Sequence, residues 1–300
     1  MGLGVRKCPD SSWPTATMSR SALCRRNEET VAGPPREHDP RITVIQQELF
    51  DAKKSKMQRY SDLVVGRPGL WPLLKYEAIV TLTSWVPGAL GLLLRSKLYP
   101  LLLGKCGRGV TFGQNVVLRH PHKIAIADNV VVDDQCCLDA KGTDNRGITL
   151  GTGVFIGRNT ILSCKNGDIE VDDFANIGFN AEIFSASRVR VGKRVLIAAY
   201  VYLVGGDHLF DRVDVPVLDQ GRTARGIEVE DNVWLGTHVV VTDGSRVGRD
   251  CIIGAGAVVV GEIPEFRIAA GIPARVLRDR RQGVPAEMSQ RGAGAVAPEA

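Results

Sequence analysis

Aromatic residues are scarce in this 300-residue chain, with Phe, Trp and Tyr together making 6% of it. That excludes a core built around bulky rings, while a hydrophobic content of 44% still allows a large core of thin aliphatic layers. Strong charge of either sign is also lacking. A net charge of +5 suits an anionic ligand or a membrane surface and is too weak to argue for nucleic acid. The seven cysteines include no CxxC spacing, and adjacent Cys136 and Cys137 would point to opposite faces of a strand. Neither a zinc knuckle nor a disulfide framework is indicated, and reduced thiols in a cytosolic compartment fit the pattern. The N-terminus has no apolar core of signal-peptide type. Arg6 stands where a myristoylation signal needs Ser or Thr.

A long apolar run is almost absent as well. Ala78 to Leu94 gives seventeen uncharged residues, interrupted by Pro87-Gly88, at the lower limit for a membrane-spanning helix. Two readings stay open for residues 69–105. One is peripheral membrane contact, with Lys75, Arg95, Lys97 and Lys105 at the lipid surface; the other is a helical hairpin covering the apolar end of the next domain. Upstream, Ile42, Ile45, Leu49 and Phe50 recur at helical spacing among charges. The expected organisation is residues 1–40 disordered, 41–107 helical and partly apolar, and 108–264 the main domain with a long loop at 204–228. A strand or helix cap follows at 265–281, then a disordered tail at 282–300.

What the chain has in abundance is a period of six. Inward aliphatic positions come in threes: Leu150, Ile156, Leu162; Val171, Ile177, Ile183; Val191, Ile197, Leu203; Val229, Leu235, Val241; Val247, Ile253, Val259. Ile126, Val132 and Leu138 precede them, after a partial start at Phe112 and Leu118. Such a period fits neither a helix nor a half-buried strand. It predicts an all-β core in the form of a parallel β-helix, a triangular prism in which each hexapeptide makes one side. The residue after the aliphatic one is often Gly (Gly151, Gly157, Gly178, Gly192, Gly236, Gly248, Gly254), as expected if corners there need left-handed or tight backbone. Steps within each group are six, and every extra residue follows the third member. Leu203 to Val229 takes twenty-six. Insertions therefore grow from one edge of the prism, and the longest carries His208 near its start.

The stretches "NVWLG" (Asn232–Gly236), "VGRDCIIGAGAVV" and "AAGIPARVLR" (Ala269–Arg278) complete a pattern that resembles the hexapeptide-repeat acyltransferases. Within them, it is similar to the maltose/galactoside/colanic-acid O-acetyltransferase group, over roughly residues 110–278. The resemblance implies a left-handed β-helix, a homotrimer with active sites between subunits, and acetyl-CoA as donor. It implies His208 as general base toward a saccharide or glycan hydroxyl, with direct transfer; Asp207 or Asp211 could orient the imidazole or only cap the loop. Gly236, Thr237, Gly254 and Ala255 match positions lining the pantetheine groove. Arg275 and Arg278 match positions near the nucleotide phosphates, or else belong to a solvated basic helix. Two departures stand out. Val260-Gly261-Glu262-Ile263-Pro264 lacks the family's Lys, and Gly178 and Ala186 replace the acceptor-binding polar residues, so small-sugar specificity does not carry over. The expected location is cytoplasmic, with the inner face of the membrane as a site of association.

Three rivals remain. N-acyl transfer to an amino sugar would use the same base. A non-catalytic β-helix scaffold would lack CoA affinity. A β-helix carbonic anhydrase needs three converging zinc histidines, and His38, His120, His122, His208 and His238 are too dispersed in the repeat; no metal is expected.

Overall fold

The computed structural model describes residues 54–283. The expectations for residues 1–40, for Ile42, Ile45, Leu49 and Phe50, and for the tail beyond Gly283 lie outside the described residues.

The six-residue period becomes three parallel sheets. The first stacks the strands that end at Cys106, Ile126, Leu150, Val171, Val191, Val229, Val247 and Ile263. The second begins at Thr111–Phe112 and the third at Val117–Arg119, and each triplet makes one turn. Partners one turn apart face each other in register, as with Leu150↔Val171, Ile156↔Ile177 and Leu162↔Ile183. The repeat starts one position earlier than its aliphatic pattern, at Cys106, and runs on through Ile263 and Ala269.

Two local rules differ from the expectation. The glycines after the inward aliphatic residues are not left-handed. Those conformations fall three residues before the inward position, at Asn129, Asn159, Asn180, Asn232 and Asp250 among others, where the short polar side chain tolerates positive φ. The glycines answer a different demand, the close approach of the next turn. A Cβ on Gly236 would lie 2.7 Å from the backbone N of Ala255, and one on Gly254 would lie 2.9 Å from the Cβ of Ala270. A second inward row also lies two residues before the aliphatic one, filled by small buried residues such as Val154, Thr160, Ala175, Ala181 and Val195.

In a parallel stack alternate residues face the following turn, donating to it (Val117 N to Cys136 O, 2.8 Å) and accepting from it (Ala140 N to Arg119 O, 3.1 Å), while the residues between them face the preceding turn. The carbonyls of those first-turn residues that point away from the second turn, Phe112 and Leu118 among them, therefore face no strand and need partners. Helices supply them. Helix α1 (Lys56–Val64), opened by a Ser55–Gln58 capping box, is followed by α2 (Leu70–Thr83) and α3 (Gly88–Leu98), with Pro87-Gly88 breaking the apolar run between the last two. Tyr76 Oη donates to Leu118 O at 2.8 Å. The buried Arg95 guanidinium donates to Phe112 O (3.0 Å), Thr83 O (2.9 Å) and Val86 O (2.8 Å). Tyr99 sets its ring edge-on against Phe112 at 5.4 Å. The hairpin thus covers the open end of the prism. At the other end, strand Arg275–Asp279 turns back antiparallel on Arg267–Ala270 and finishes in a short 3-10 turn.

Candidate active site

The long loop leaves the third sheet after Tyr202–Gly205. Gly206 lets it pass over the preceding turn, since a Cβ there would sit 2.8 Å from that of Ala186. Asp207–His208 then pairs antiparallel with Arg222–Thr223, a two-stranded ribbon that fixes the loop's base. Buried Asp243 closes the return by accepting the backbone N–H groups of Arg225 (2.8 Å) and Gly226 (2.9 Å). Farther out, the Gln220 amide ties Arg212 and Val215 together.

His208 is half-buried, and its Nδ1 is buried without a hydrogen-bond partner. The Asp207 carboxylate accepts the backbone N–H of His208 at 2.8 Å; with Nδ1 unpartnered, neither Asp207 nor Asp211 holds that nitrogen. Burial pushes the imidazole pKa down, the Arg222 guanidinium across the ribbon pushes the same way, Asp207 opposes them, and Lys165 adds to the lowering. On balance these effects favour the neutral ring.

The residues expected from the resemblance to line a donor groove stack on another corner, between the second and third sheets, termed the donor corner. Gly236 N donates to Ile253 O at 2.9 Å, and Gly256 N to Thr237 O at 2.8 Å. Thr237 and Ala255 are exposed side by side there, with Thr237 Oγ1 bonded to Ala199 O at 2.8 Å. Arg275 joins them, because it pairs with Ala270, the residue against Gly254. Arg278 sits farther along the same strand opposite Ile268, with Nη1 on Gly283 O at 2.5 Å. Residues 275–279 are therefore strand, not the basic helix considered from sequence: the chain turns back at Gly271–Ala274, and extension lets it pair with the last side of the prism.

Sequence reasoning missed an aromatic ladder on this corner. Arg158 lies over Phe179 (5.7 Å), Phe179 meets Tyr200 edge-on (6.0 Å), and Tyr200 stacks on His238 (4.9 Å). Phe179 and Tyr200 are exposed large residues. The signal was available as bulky residues recurring at one corner of successive turns.

Within one chain His208 and the donor corner do not meet. Tyr202 pairs with Val240 and Val204 with Thr242, so His208 follows the far end of the third face while Thr237 precedes its near end. The strand between them spans roughly 13 Å at about 3.3 Å per residue. Two cavities, of about 440 and 490 Å³, border α1 and contain neither His208 nor any donor-corner residue. Among the described residues, no three His, Cys, Asp or Glu side chains form a group that could hold a metal ion.

Residues 226–261 match the family described as bacterial transferase hexapeptide (six repeats). The match and the stacked turns show that the chain carries a hexapeptide repeat. Its turns have the stacked, parallel geometry of the left-handed β-helix that the resemblance implies. The chain is 31% identical over 144 residues to a protein of Mycobacterium tuberculosis named "Probable acetyltransferase", covering 48% of each. It is 34% identical over 134 residues to the galactoside O-acetyltransferase of Escherichia coli, covering 43% of this chain and 55% of that protein. The galactoside O-acetyltransferase of Lactococcus lactis is 30% identical over 134 residues, with 44% and 53% covered. The matched region spans about half the length of these curated relatives.

Proposed function

We propose that this hexapeptide-repeat protein is an acetyl-CoA-dependent O-acetyltransferase acting on a saccharide or glycan hydroxyl. The observation that carries the reading is the ribbon-held His208, half-buried, its pKa lowered and its Nδ1 free of any internal partner. Relatives named as acetyltransferases and galactoside O-acetyltransferases support the chemistry.

In this reading the imidazole removes the proton from the acceptor hydroxyl as that oxygen bonds to the thioester carbonyl carbon. The tetrahedral oxyanion then collapses, the C–S bond breaks, and the imidazolium returns its proton to the departing thiolate. Donor and acceptor held together need no covalent enzyme intermediate. The pantetheine chain runs along the corner of Gly236, Thr237, Gly254 and Ala255, with Arg275 and Arg278 toward the phosphates. Because His208 and that corner lie at opposite ends of one face, the complete site joins His208 of one copy to the donor corner of another. A homotrimer, the arrangement that the resemblance implies, supplies such a junction.

The test is thiol release from acetyl-CoA with a panel of sugars, amino sugars and membrane glycans. Acceptor-dependent release supports the reading, and the acceptor that responds separates O- from N-transfer. If acetyl-CoA neither binds nor turns over with any of them, the enzymatic reading is wrong. The lowered pKa makes a second prediction. A reaction that needs neutral imidazole keeps its kcat/KM below pH 6.5 and falls only through the lowered value. Arg222→Gln removes a neighbouring positive charge, so the acid limb of its pH–rate profile is expected at higher pH than in the wild type. An unmoved limb would detach Arg222 from the proton acceptor.

A further inference from the structure

Helix α2 is apolar on both sides. Leu73, Tyr76 and Ile79 face the prism and are buried, as the covering of the first turn requires. The opposite face has no such reason to be apolar, yet Trp71, Leu74, Ala78 and Leu82 follow one another at steps of three and four, with Trp85 just past the helix end, all exposed. The two tryptophans are 75% and 63% exposed. Leu90 and Leu93 on α3 extend the surface. Monomeric surfaces rarely show a contiguous stripe of this kind without a partner for it.

The charges around it identify the partner's chemistry. Between Leu63 and Ala127 the sequence has eight Lys or Arg and a single acid, Glu77, and Glu77 already accepts the Tyr60 hydroxyl at 2.6 Å. Arg95 is consumed inside the fold and Arg108 lies 4.0 Å from the Asp128 carboxylate, while Arg67, Lys97 and Lys105 are exposed. Exposed Trp and Leu on a short helix, together with exposed cations that outnumber the acids of this segment, match an anionic lipid surface, where rings enter the headgroup boundary and Lys and Arg meet the phosphates. None of the described helices is long and apolar enough to cross a membrane, and the break at Pro87-Gly88 keeps both helices short.

We infer that the outward face of α2 and α3 docks the chain peripherally on an anionic membrane. The inference is independent of the acetyl-transfer reading, since docking is measured without donor or acceptor.

The experiment is co-sedimentation of the full chain with phosphatidylcholine vesicles, with and without about 30% phosphatidylglycerol. Binding to the anionic vesicles is expected, and the Trp71→Ser, Trp85→Ser double variant should lose it by about tenfold or more. Both residues are exposed, so an unchanged circular dichroism spectrum and melting temperature will show the variant folded. Lys97→Glu with Lys105→Glu should abolish the preference for phosphatidylglycerol. The inference is overturned if the wild type sediments with neither vesicle, or if the double Trp variant binds as well as the wild type. It is equally overturned if that variant changes the oligomeric mass in solution, since the face would then be a protein contact.

Discussion

Replacing His208 by alanine is expected to lower acceptor-dependent thiol release by about 10²- to 10⁴-fold, the range for a lost general base. The expectation is sharp because the side chain has no structural duty that competes with it. It lies in an insertion outside the stacked core, and its Nδ1 bonds to nothing in the chain. Its backbone N–H, which caps on Asp207, survives the substitution. Melting temperature and acetyl-CoA affinity should therefore stay close to wild type, because the donor corner is at the other end of the face. A variant that folds, binds donor and keeps its turnover would remove His208 from the chemistry.

The largest stability effect is expected at Arg95. The residue is 1% exposed, and its guanidinium donates to three carbonyl oxygens, those of Thr83, Val86 and Phe112. Two of them end or follow α2, where a cation also complements the helix dipole. The third belongs to the first turn, which has no preceding strand to pair with it. Arg95→Met keeps much of the volume and strands all three acceptors in a buried place, at a cost of about 3 kcal/mol or more. That is a large share of the roughly 5–15 kcal/mol that holds a domain together. Arg95→Lys retains the charge but not the planar fork that spans three oxygens, so it should fall between. Urea denaturation of the three proteins, followed by far-ultraviolet circular dichroism, measures the order. Equal stability of Arg95→Met and wild type would mean that the end carbonyls find other partners.

The architecture was legible because the inward position is a large aliphatic residue whose spacing within a turn never varies. Val171, Ile177 and Ile183 mark three sides without any structural information, and the same count shows that all insertions share one edge. The second inward row was harder to read, because Val154, Thr160 and Ala175 share smallness rather than hydrophobicity. The glycines after the aliphatic positions were noticed for the right recurrence and the wrong cause, since interatomic approach between turns has no signature in one turn's sequence. Residues 275–279 read equally as helix or strand until the turn at Gly271–Ala274 brought them back to Arg267–Ala270. The candidate site was legible only as two columns of positions, one carrying His208 and one carrying Gly236 and Gly254. That the columns sit at opposite ends of one face depends on which corner each occupies, and spacing alone does not fix the distance between them.

A stacked prism also converts position along the chain into height. The helical hairpin closes the base at the first turn, and the loop with His208 leaves the fifth. At about 4.8 Å per turn, the four intervening steps raise that loop about 19 Å above the first turn. The number of turns below the loop is therefore a ruler. If His208 and the helical end act as proposed, an acceptor tethered at that end would have to extend across that height, so adding or deleting one whole turn would change the preferred tether length in increments of a single step.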